Sequence, residues 1–137
     1  MTRRLLTATL LVLVGGPVGA GEHHMAHPAG TARPMAGLGD HHHPIATANL
    51  EAQRFFDQGL NLVFAFNHDE AVRSFTQAAV LDPKAAMPQW GIALALGPNI
   101  NLDVDPERER AAYEAVHKAL ALARHAPPHE RAYGAGA

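Results

Sequence analysis

The sequence predicts an all-α fold: two antiparallel helical hairpins, the start of a right-handed solenoid, behind a leader without regular structure. Three observations carry that expectation. Apolar residues recur at helical spacing in four stretches between Asn49 and Arg124, with capping residues at several of their starts. Gly and Pro crowd the chain before residue 48, where neither a helical nor a strand period survives. Phe56 and Trp90, and likewise Gly59 and Ala93, stand about 34 residues apart, the spacing of a stacked two-helix repeat.

The first element is an export signal over residues 1–20. Arg3 and Arg4 form a positive n-region, Leu5 to Val14 is apolar apart from Thr7 and Thr9, and Gly15, Gly16 and Pro17 break the run. Val18-Gly19-Ala20 places small residues before a cleavage point. The apolar run is too short to cross a hydrocarbon core of about 30 Å. Removing these residues leaves nine basic and thirteen acidic residues, a formal charge of -4. Export implies a periplasmic or extracellular location, with no membrane attachment after cleavage.

Residues 21–48 form a leader rich in His, Gly and Pro, expected to be largely disordered, above all through residue 38. It carries His23, His24, His27, His41, His42 and His43. A solvated linker is one reading. The other is a site for Cu, Ni or Zn, since imidazole ligates all three. Cleavage after Ala20 would expose Gly21-Glu22-His23, whose amine, amides and imidazole can wrap Cu(II) or Ni(II) in a square plane. His41-His42-His43-Pro44-Ile45 lies against the folded region, with Pro44 forcing His43 toward extended backbone.

The first hairpin is expected over 49–83. Asn49 caps its first helix, whose apolar residues are Phe55, Phe56, Leu60, Leu62, Val63 and Phe66. Asn67 and His68 mark the turn. The second helix runs from about Asp69 to Leu81, with Asp69 and Glu70 where the helix dipole favours negative charge, and Asp82-Pro83 ends it. The second hairpin is expected over 84–125. Its first helix spans Ala85 to Leu96 with Pro88 tolerated in the first turn, and a longer loop follows. Asp105-Pro106, cap then N1 proline, opens the last long helix, which ends near Arg124.

Phe55, Gly59, Leu62, Ala71, Phe75, Ala78 and Pro83 resemble the tetratricopeptide (TPR) pattern of an aromatic, Leu-Gly, Tyr, Ala-x3-Phe and Pro. Gln58 replaces the usual Leu and Leu62 the usual Tyr. In the second unit Ala112, Val116 and Ala119 match Ala71, Phe75 and Ala78 across the longer loop. Gly59 and Ala71 are small where the two helices would cross. The run from about residue 40 to 133 is similar to exported bacterial TPR proteins with a His/Pro-rich lead-in. That resemblance implies protein or peptide binding and brings no catalytic residues.

In such arrays the first helices line a concave groove. By position the lining is Gln53, Phe56, Leu60 and Val63, then Met87, Trp90 and Leu94. So much apolar surface needs a cover. Three covers are open: the chain's own His43-Pro44-Ile45 segment, an external peptide, or a further repeat.

Other chemistries are poorly provided for. There is no cysteine, hence no disulfide, thiolate or Cys-based zinc site. Ser74, the one serine, lies inside a helical pattern without a strained turn. A net charge of -2 is unsuited to nucleic acid. Asp103, Asp105 and Glu107 read as helix-start charges, with a mixed site from His41, His43 and one of these aspartates, or a polar site with His68, as the sharper alternatives. His117, His125 and His129 read as surface residues. Residues 126–137 open a third helix that Gly134-Ala135-Gly136-Ala137 breaks off, which suggests a truncated member of a longer family. The face near Tyr113, Val116 and Leu120 would then be undersatisfied and open to self-association.

Overall fold

The computed structural model describes residues 32–100, 103 and 105–134. Among them the fold is all-helical: α1 (Leu50–Phe64), α2 (His68–Leu81), α3 (Met87–Leu96), α4 (Pro106–Ala123) and α5 (Pro128–Gly134). Each helix packs on the next along the chain as far as the α4–α5 pair, and α1 also touches α3. None of the described helices is long and apolar enough to cross a membrane. The segment read as an export signal, residues 1–20, lies outside the described residues.

The Asn49 side chain accepts from the amides of Glu51 and Ala52, which starts α1 where the sequence predicted. Its end is less ordinary. Asn67 N–H bonds to Leu62 O and Phe66 N–H to Val63 O, the paired bonds of a left-handed helix stop. Phe66 occupies the left-handed position, with φ 58°, where glycine is usual. The chain then reverses into α2. Asn49 Nδ2 donates to Leu81 O, and Thr47 Oγ1 to Asp82 Oδ2, so the start of α1 is tied to the end of α2.

Phe75 of α2 is fully buried at the centre. A Cβ on Gly59 would stand 2.5 Å from its ring, and one on Gly91 of α3 would stand 2.6 Å from it. Two glycines on two helices therefore let three backbones close on one ring. Phe56 meets the same ring at 5.4 Å between centroids. Met87, Ala95 and Leu96 complete the core on the α3 side.

Asp105 caps α4 through the amides of Glu107 and Arg108, with Pro106 at the first turn. Arg108 is buried. It donates to Asp69 Oδ1 at 2.8 Å and to the Ala95 carbonyl at 3.1 Å, binding the start of α4 to the start of α2 and the end of α3.

Residues 32–48 depart from expectation. The disorder anticipated through residue 38 does not describe them: Ala32 and Ile45 are buried in the core cluster and Leu38 packs against it. The segment is a strap folded back along α1. Its reversal at Gly37-Leu38-Gly39 uses two positive φ angles, 79° and 112°. Polar side chains of α1, not a repeating ladder, hold it, so no periodicity of its own announces it.

Candidate functional site

Helical geometry places Gln53, Asp57 and Asn61 on one stripe of α1, one turn apart, with Gln58 beside them. These four polar side chains grip the strap. Asn61 Nδ2 donates to His41 O at 3.1 Å. Asp57 accepts the His43 amide at 3.0 Å, and its other oxygen lies 2.7 Å from His42 Nδ1. Gln53 Nε2 donates to His43 O at 2.9 Å, while its Oε1 accepts the Ile45 amide at 2.9 Å. Gln58 repeats the pattern: Nε2 donates to Arg33 O at 3.0 Å and Oε1 accepts the Met35 amide at 2.8 Å.

Each glutamine thus bonds the carbonyl of one strap residue and the amide of the second residue on. A side-chain carboxamide offers an N–H donor and a carbonyl acceptor side by side, as a peptide unit does, with a second N–H left over for the scaffold. Gln53 and Gln58 act as single rungs of a neighbouring strand. Gln53 is held by Asp57 Oδ1 at 3.0 Å, and Gln58 by Ser74 Oγ at 3.0 Å. Ser74 in turn donates to Glu70 O, so its hydroxyl is buried and committed to the scaffold.

The far wall comes from α5. Glu130, 3% exposed, accepts the Ala46 amide. Tyr133 meets the His43 ring at 5.9 Å and Trp90 at 5.2 Å, and His43 lies 6.2 Å from Phe56. Behind this aromatic row a narrow recess, partly open to solvent, is lined by Met87, Trp90, Val116, Leu120, Glu130 and Tyr133.

The expected groove residues therefore divide. Phe56, Leu60 and Met87 are buried in the core beneath the strap and the adjoining helices, with Met87 also on the floor of the recess. Gln53, Val63 and Trp90 are half-buried, and Leu94 is exposed. His43 is half-buried, Pro44 exposed and Ile45 buried. Val116 and Leu120 face the recess with α5 rather than standing open, while Tyr113 is exposed and lies tilted against the His117 ring. His125 and His129 are exposed as well.

The metal readings find no assembly here. His23, His24 and His27 lie outside the described residues. His41 packs edge-on against Phe64, His42 turns to Asp57, and His43 enters the aromatic row. Asp105 is committed to its cap. Among the described residues no three His, Asp or Glu side chains are placed to share an ion. His68 packs on Phe66 at 6.2 Å, and its two ring nitrogens are buried without hydrogen-bond partners.

Asp57, Gln58, Asn61, Arg108, Glu130 and Tyr133 carry roles that sequence reasoning did not assign. The one available signal was the polar stripe on an otherwise apolar helix, at spacings of four residues. Compared with known proteins, the chain matches no family model, no curated protein and no solved structure.

Proposed function

We propose that this chain is an exported, non-catalytic helical-repeat scaffold that binds a segment of another protein in the groove along α1 and α3. The helix pairs α1–α2 and α3–α4 are taken as TPR-type hairpins. Ala71, Phe75 and Ala78, the repeat-pattern residues of α2, are all buried, and Gly59 lies against the Phe75 ring, which supports that reading.

The observation that carries the proposal is the occupant already in the groove. An extended stretch of polypeptide lies there, held through its main chain, with one aliphatic side chain sunk into the core. A surface that holds one extended segment this way has the donors, acceptors and apolar floor to hold another.

The test is selection of random peptides on the immobilised full chain. Recovered peptides should share an apolar anchor, and Trp90→Ala should weaken them by at least about tenfold, the effect of one truncated hot-spot aromatic. If no peptide is enriched over the bare support, the proposal is wrong.

A further inference from the structure

We infer that α1 carries a main-chain-reading peptide site, occupied in cis by residues 41–46, which accepts in trans an extended segment of the form imidazole or aromatic, proline, aliphatic. The inference rests on the binding role proposed above and names its ligand.

The strap itself supplies the specification. Between His41 and Ala46 five bonds reach the occupant's main chain: at His41 O, His43 N, His43 O, Ile45 N and Ala46 N. None of the five reads a side chain, so any extended backbone satisfies them. Three positions are selective. The His43 ring stands between Phe56 and Tyr133, a slot that suits a flat ring. Ile45 is buried among core side chains, a socket for one branched aliphatic. Pro44 between them is exposed, makes no demand for an amide partner and holds the preceding residue extended. One further contact, His42 on Asp57, lies at the exposed edge.

Exchange follows from the same chemistry. Most of these bonds lie at part-buried or exposed positions, where water can take over each partner. The strap's advantage over a free peptide is its tether to α1 through residues 46–49, which raises its local concentration without changing its contacts. A peptide in trans therefore sees an intact site, discounted by the fraction of chains whose strap is open.

The probe is a fluorescein-labelled peptide copying residues 39–47, titrated by anisotropy into the full chain and into Ile45→Asp and Ile45→Ala full chains. Circular dichroism confirms that each variant keeps its helices, and the milder Ile45→Ala serves if Ile45→Asp does not. With the strap's anchor spoiled, the peptide should bind at least about tenfold more tightly than to the unaltered chain, the discount being removed. Adding Gln53→Ala should abolish the gain. A peptide carrying Ile45→Asp should fail on every chain. A helical variant that binds the probe no better than the unaltered chain, or binds the Asp-bearing peptide equally, overturns the inference. If such a variant refuses the probe while selected peptides still bind in a Trp90-dependent way, only this specificity falls. If no peptide binds at all, the wider proposal falls with it.

Discussion

Gly59→Ala separates packing from helix propensity because the two predict opposite signs. In an open helix the change would stabilise by about 1 kcal/mol, since alanine loses less backbone freedom on folding. Here the new methyl would sit 2.5 Å from Cε1 of Phe75. The ring cannot slide away toward α3, because Gly91 already offers only 2.6 Å of clearance for a methyl on the other side. Phe75 is fully buried and Phe56 closes a further side, so relief requires the helices to separate. Overpacking of this kind costs about 1–3 kcal/mol, and a ring blocked on two sides belongs at or above the upper end. Net of the propensity gain, Gly59→Ala should destabilise by about 2 kcal/mol, a melting temperature lower by roughly 10 °C for a domain this size. Calorimetry of the single variant and of Gly59→Ala with Phe75→Leu gives the coupling. The smaller side chain should recover about 1 kcal/mol relative to additivity. A Gly59→Ala chain that melts at or above the unaltered protein would refute the sandwich.

Four other outcomes follow from single residues. Arg108→Met should cost about 2 kcal/mol by denaturant unfolding, mostly from the orphaned Ala95 carbonyl. Asp69 is 43% exposed, so Asp69→Asn should cost less, about 1 kcal/mol or below. Phe66→Gly should stabilise by about 1 kcal/mol, because it relieves a left-handed non-glycine residue that is itself largely exposed; an unchanged or lower melting point would count against that strain. Glu130→Ala should lose the acceptor for the Ala46 amide and loosen α5, at about 1–2 kcal/mol for a charge-assisted bond. Trp90 emission should then shift as Tyr133 leaves its face, and Glu130→Gln, which keeps an acceptor, should shift it less.

What could be read ahead of the structure was local. Asn49 and Asp105 announced their helices because a short polar side chain before an apolar run has one good use, the cap. The four long helices begin and end within two residues of expectation, since period and turn chemistry are properties of neighbouring residues. The first part of the strap, residues 32–38, was misjudged for the opposite reason. Its Gly and Pro content argued against regular structure, correctly, but order came from Gln53, Asp57, Gln58 and Asn61 reaching across from α1. Those long-range side-chain bonds leave no period. Gly91 was likewise overlooked, because the repeat aligned Gly59 with Ala93, while the ring of Phe75 needed its second clearance elsewhere on α3. Arg108 was not singled out, because nothing local marks it among the charges that open α4, yet it is a buried tie between three helices.

The central claim is that residues 32–48 are bound to α1 through their main chain. Amide hydrogen exchange on the full chain tests it at single bonds. The amides of Met35, His43 and Ile45 should be protected by at least about tenfold over a free peptide, and exposed Ala48 far less. Protection at Ile45 should vanish in Gln53→Ala and protection at Met35 in Gln58→Ala, each leaving α2 protected. Free-peptide exchange at all three amides in the unaltered chain would contradict the account.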